Sequence, residues 1–194
     1  MLASILKRTN NFDLVGYTDP EDRGDLLGTP YLGTDAELET LFKGGVLAAA
    51  LGVGGLLDAS PRIRLYNQLK KVGFHLPVIL APSAVVQENV FLGEGSVILE
   101  GGIVNTGSKV GICGIVNTNS SVGHDCQLGD FVHVAPRAVL GGNVKVGNRV
   151  HIGLGASVIQ GICIGDDVVI GAGSLVVKNC LKAGKYLGVP AKCA

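Results

Sequence analysis

The sequence predicts a parallel β-helix over its C-terminal half, on three observations. Every sixth residue from Leu80 to Val176 is aliphatic: Leu80, Val86, Leu92, Ile98, Val104, Val110, Val116, Val122, Leu128, Val134, Leu140, Val146, Ile152, Val158, Ile164, Ile170 and Val176. Four residues after each, the chain is small or β-branched in nearly every case, as at Ala84, Ser96, Gly102, Ser108, Gly114, Ser120, Cys126 and Ala138. The residue directly after the aliphatic one is often glycine or asparagine, as at Gly93, Gly111, Gly129, Asn105 and Asn117.

A six-residue step turns an α-helix by about 600° and scatters the aliphatic positions, whereas six is a multiple of the strand period. The repeat is therefore built from strands, with the large and the small position both pointing inward. A corner is expected at each glycine or asparagine, because these residues tolerate positive φ. Gly/Val-rich low complexity does not place seventeen aliphatic residues in phase. Short strands joined at this period form the hexapeptide parallel β-helix, whose stacked coils bury one continuous core. In known folds of this kind the coil is triangular, left-handed and three hexapeptides long, so residues 18 apart stack.

Residues 1–78 have a different texture. Met1 to Arg8 reads as the end of a helix. Phe12 to Tyr17 alternates towards a strand, Asp35 to Phe42 has helical spacing, and Val46 to Leu51 is a continuous apolar run like a buried parallel strand. Pro61 to Val72 is an amphipathic helix with proline near its first turn. Strand, helix, strand, helix predicts a small α/β, Rossmann-like unit with a parallel sheet. The division expected is 1–78 for this unit and 79–194 for the β-helix with its tail, without a long linker.

Composition excludes several classes of function. Lys+Arg equals Asp+Glu at 16 each, and only 5% of residues are aromatic, so nucleic acid is not an expected partner. The apolar stretch from Val46 to Leu57 is broken by glycines and too short to span a bilayer, and Lys7 and Arg8 follow the first apolar residues where a secretory signal has its charges in front. A soluble cytoplasmic protein is expected. The five cysteines show no C-x-x-C spacing, and Cys126 and Cys180 fall on inward positions, so neither disulfides nor structural zinc are expected.

The segment from Asn117 to Cys126 carries the most reactive pairing, His124 beside Asp125. An imidazole accepts a proton near neutral pH, and an adjacent carboxylate can orient it and raise its basicity. A solvated surface histidine is the alternative. Eighteen residues beyond His124 stands Gly142, so the next coil offers a backbone N–H about 4.8 Å away with no side chain over it. A base and an oxyanion donor flanking one carbonyl is what acyl transfer needs. His133 is half a coil from His124 and joins that site only from a neighbouring molecule. His151 should stack on His133; the pair reads as surface packing, an acyl-carrier contact or, less favoured, a metal site. Gamma-class carbonic anhydrase shares the β-helix, but its pair of histidines five apart is absent.

The chain resembles the bacterial sugar O/N-acetyltransferases of the sialic acid and UDP-amino-sugar type. The resemblance rests on Val15 to Asp19, Leu80 to Val85, Ile115 to Cys126, Gly129 to Val134, Gly141 to Gly147 and Gly188 to Lys192. It implies a small nucleotide-binding-like domain joined to a left-handed β-helix, with acetyl-CoA as acyl donor and no metal. It implies that His124 is the general base, Asp125 tunes it, and the Gly142 amide faces the thioester oxygen. It further implies that His133 contacts acetyl-CoA and that Leu154 and Ala172 lie along the pantetheine arm. Asp19, Gly52 and Asn117 match positions at the acceptor, with turn chemistry the alternative for Asp19 and Gly52. Such enzymes are homotrimers with active sites between protomers.

Two departures stand out. The strand and Gly-rich turn that open the relatives are missing, with Gly52-Val-Gly-Gly55 a weak substitute, and Gly123 stands where relatives often carry glutamate. The function expected is acetyl transfer to an amino or hydroxyl group of a small-molecule, nucleotide-activated sugar for surface-glycan synthesis. Serine or another small alcohol as acceptor, or a trimeric non-catalytic scaffold, are the rivals.

Overall fold

The computed structural model describes residues 1–54 and 58–194; Gly55 of the glycine stretch lies outside the described residues. From Ile79 onward the chain winds into a parallel β-solenoid of about six coils, with strands on three faces. Face 1 begins with Ile79–Leu80 and includes His133–Val134 and His151–Ile152. Face 2 includes Ser121–Val122, Val139–Leu140 and Ser157–Val158. Face 3 includes Lys109–Val110, Gln127–Leu128 and Lys145–Val146. Successive strands on a face pair in parallel 18 residues apart, as in Ile115 with His133 and His133 with His151, until the last coil, where Val168 pairs with Gly184 and the chain ends in an antiparallel pair, Tyr186 with Cys193.

The hexapeptide phase holds where coils stack on both sides. Ile98, Val104, Val116, Val122, Val134 and Ile152 are fully buried, and the small positions Ser96, Ser108, Ser120, Cys126 and Ala138 are buried with them. Each buried aliphatic contributes roughly 1.5–3 kcal/mol. Leu80 remains 40% exposed because it stands in the first coil, which is covered on one side only.

The expected corner position is corrected by two residues. Positive φ falls three residues after the aliphatic one, at Gly95, Gly107, Asn119, Asp125 and Asn143, and also at Phe131, Arg137 and Arg149. The glycine directly after the aliphatic residue serves close approach instead: a Cβ at Gly123 would lie 2.6 Å from the Gly141 carbonyl carbon and 2.7 Å from the Gly142 nitrogen.

The N-terminal region supplies helices where expected but not the expected sheet. Helix α1, Leu2–Thr9, carries Lys7 and Arg8 in its last turn, complementing the helix dipole, and packs Ile5 and Leu6 on Ile79, Ala81, Val97 and Leu99. The Asp35 to Phe42 pattern forms a 3-10 turn, Asp35–Glu37, followed by α2, Leu38–Lys43. Helix α3, Ser60–Val72, opens on proline and closes on left-handed Gly73. The two predicted strands are reduced to isolated parallel bridges, Tyr17 with Tyr31 and Ala48 with His75. The physical reason is unpaired edges: Val15 is 46% and Leu47 62% exposed, so the apolar runs lack the neighbours on both sides that stabilise a buried parallel sheet. Among the described residues before Ile79 the expected Rossmann-like sheet is thus reduced to these two bridges.

Candidate active site

His124 sits on the corner between faces 2 and 3, in the turn from Ser121–Val122 to Gln127–Leu128. The corner holds Asp125 at φ 56°, which turns its carboxylate back so that Oδ2 lies 2.9 Å from His124 Nδ1. Both side chains are exposed. An ionised carboxylate only accepts, so Nδ1 is the donor in this contact, and in the neutral ring the lone pair falls on Nε2. Asp125 Oδ1 leans over Gly107 in the coil below, in the space a Cβ would take.

On the opposite side, Gly142 covers the imidazole as the 18-residue spacing predicts. A Cβ there would lie 2.6 Å from Cε1 and 2.8 Å from Cδ2 of His124, and closer still to Nε2. Asn143 N–H donates to the His124 carbonyl at 2.8 Å, which fixes the coil spacing at this point. At the corner between faces 3 and 1 the equivalent amides are consumed: Ile112, Asp130 and Asn148 N–H donate to Asp130, Asn148 and Asp166 Oδ1, each at 2.8 Å. Gly142 N–H has no protein acceptor among the described residues. A proton acceptor and an open amide donor therefore stand side by side, the geometry that proton removal and oxyanion stabilisation require. Gly123 packs directly under the Gly141–Gly142 backbone and helps set the height of that amide.

His133 lies on face 1, away from this corner. It is 8% exposed, so it is not a free surface histidine. It stacks on His151 as the register requires, edge to face with ring centroids 5.0 Å apart. Burial, with His133 beside it, pushes the His151 imidazole down to about 4. Asn117 lies one strand away, with Nδ2 3.0 Å from His133 Nε2. Leu154 and Ala172 are exposed on the corner between faces 1 and 2, Gly173 N–H donating to the Leu154 carbonyl. One chain thus does not bring His133, Leu154 or Ala172 to His124.

Asp19 is engaged in a turn, accepting from Glu21 N–H at 3.0 Å and from Arg23 Nε at 3.4 Å. Gly52 is exposed with open space around its Cα. Neither is joined to the His124 corner. Among the described residues no group of three or more His, Cys, Asp or Glu side chains has the arrangement of a metal site.

Sequence reading did not find Arg62. It is 2% exposed, donates from Nη2 to the Cys113 carbonyl, and lies 5.9 Å from the centroid of Phe131. It ties α3 to the β-helix beside His133 and His151, and these residues line one small cavity with Asp58 and Arg149. No periodic signal marks it, since its burial depends on how α3 docks. Gly107 was within reach, standing 18 residues before Asp125.

No protein-family model and no curated protein matches the chain. Solved structures do. PerB from Caulobacter crescentus, in complex with CoA and GDP-perosamine, is 35% identical with a TM-score of 0.91; the match covers 100% of this chain and 90% of that one. The acetyltransferase domain of PglB from Neisseria gonorrhoeae, in complex with acetyl coenzyme A, is 31% identical with a TM-score of 0.93, covering 100% and 92%. WeeI from Acinetobacter baumannii shares the fold at 23% identity, with a TM-score of 0.83 over 100% and 92% of the two chains. The hexapeptide core and the full-length likeness to PerB and the PglB acetyltransferase domain agree, and the chain belongs to the hexapeptide, left-handed β-helix family of sugar N-acetyltransferases.

Proposed function

We propose that this acyltransferase moves the acetyl group of acetyl-CoA to the amine of a nucleotide-linked amino sugar, with His124 as general base. The observation that carries the proposal is Gly142 lying over His124 Nε2 with its N–H open, while Asp125 holds Nδ1. The sugar amine attacks the thioester carbonyl carbon as Nε2 takes its proton. Gly142 N–H donates to the oxyanion. The C–S bond then breaks, and the imidazolium returns the proton to the departing thiolate. No covalent enzyme intermediate is required.

PerB and a histidine-to-asparagine variant of perosamine N-acetyltransferase bind CoA together with GDP-perosamine, which supports this donor and this class of acceptor. Residues 1–78 hold the acceptor, and His133, Leu154 and Ala172 meet the donor. Because these three stand on other parts of the coil than His124, a site using all of them is shared between copies, which supports a homotrimer.

The test is thiol release from acetyl-CoA with a panel of GDP- and UDP-linked amino sugars. His124→Ala is expected to lower kcat by roughly 10²–10⁴-fold. Turnover indifferent to that change would sink the mechanism. Mixing His124→Ala with His133→Ala protein, unfolded and refolded together, should restore activity that neither has alone; no recovery would argue against shared sites.

A further inference from the structure

Asn117 was expected at the acceptor, yet both ends of its side-chain amide are spent inside the chain. Oδ1 accepts from Thr118 N–H at 2.7 Å and faces Thr118 Oγ1 at 3.3 Å. A backbone N–H can only donate, so the atom facing it is the oxygen, and the amide orientation is fixed. Nδ2 is then the atom 3.0 Å from His133 Nε2, and an amide nitrogen only donates. His133 Nε2 must therefore be the acceptor, and its ring proton sits on Nδ1.

We infer that Asn117 is a positioning residue that locks His133 as a neutral Nδ1–H imidazole and so removes it as a rival base to His124. The consequence for the reaction rests on the proposed acetyl transfer; the tautomer does not. The two histidines carry the proton on the same nitrogen, but only His124 keeps its Nε2 lone pair available. The surroundings act in the same direction. Around His133 stand His151 on the next strand, Arg62 in α3, Asp58 just before α3, and Arg149 at the next corner. Arg149 is paired with Asp167 at 2.7 Å, whereas Arg62 is buried with Nε unpartnered, so a second cation at His133 would face an uncompensated one. His133 enters the reaction as a hydrogen-bonding and packing group, and the proton from the acceptor goes to His124.

The experiment is two-dimensional NMR of the imidazole nitrogens in the full chain, with a pH–rate profile beside it. In the wild type, His133 Nε2 should show the unprotonated signature and Nδ1 the protonated one. Asn117→Asp keeps an acceptor for Thr118 but replaces the amide donor with a carboxylate oxygen. Nε2 must then bring a proton to the contact. The variant should show His133 protonated at Nε2, a second ionisation in the pH–rate profile, and a roughly tenfold or greater rise in KM for acetyl-CoA. A protonated Nε2 in the wild type would overturn the assignment even if no variant folds. So would an Asn117→Asp protein of unchanged melting temperature and unchanged His133 tautomer. Wild type with the expected tautomer but no turnover on any amino sugar would overturn the proposed function and leave the tautomer assignment standing.

Discussion

Replacing Gly142 with alanine tests whether the bare Cα over His124 is functional or incidental. The new Cβ would stand 2.6 Å from Cε1 and 2.8 Å from Cδ2 of the imidazole, so the ring must retreat by about 1 Å to reach ordinary van der Waals separation. The His124 side chain is 63% exposed and can swing into solvent, so the fold loses little, within about 0.5 kcal/mol. Catalysis loses far more: a displacement of about 1 Å in a reacting group costs on the order of 10²-fold. The assay is kcat by thiol release alongside thermal melting. Expected is a hundredfold loss at near-unchanged melting temperature, and no further loss when Gly142→Ala is added to His124→Ala, since both act through one ring. Wild-type kcat in Gly142→Ala, or full additivity with His124→Ala, would refute the reasoning.

Three more outcomes follow from packing and charge. Gly123→Ala and Gly111→Ala each press a methyl group on the backbone of the next coil and should each lower stability by roughly 1–3 kcal/mol in chemical denaturation. Only Gly123→Ala, which lifts the Gly142 amide, should also lower kcat; equal effects on kcat would contradict that placement. His151 has its pKa lowered by burial and by His133 from 6.5 to about 4, so below pH 6.5 the unfolded chain binds a proton that the folded one does not. Stability should be fully present above pH 6.5 and fall as the pH drops towards 4, and His151→Gln should flatten that slope in denaturant midpoints. Arg62→Ala removes the bond to the Cys113 carbonyl and the stacking on Phe131. It should cost roughly 2 kcal/mol, and Arg62→Lys, lacking the planar fork, should not restore it.

The β-helix was legible because its determinants are local and repeated. An aliphatic residue every six positions marks short stacked strands, and the parallel 18-residue register follows from the three hexapeptides per coil of known folds of this kind. That register places Gly142 over His124 and His151 over His133. The corner position was misread because glycine has two uses that look alike in sequence: at Gly123 it admits a neighbouring backbone, whereas positive φ falls at Asp125, a residue whose side chain also serves the site.

The N-terminal sheet was overread for a different reason. Apolar alternation in Phe12 to Tyr17 and Val46 to Leu51 signals strand propensity, but a sheet needs partners on its edges, and partnership is not encoded within one segment. Sequence by itself determined the solenoid and, given the three-hexapeptide coil of known folds of this kind, its register and the His124–Gly142 pair, because a regular repeat converts sequence distance into spatial distance. Only the tertiary structure decided what the side chains do at their ends. It consumed both ends of the Asn117 amide, buried His133 and drove Arg62 against Phe131, since hydrogen-bond direction and burial depend on neighbours distant in the chain.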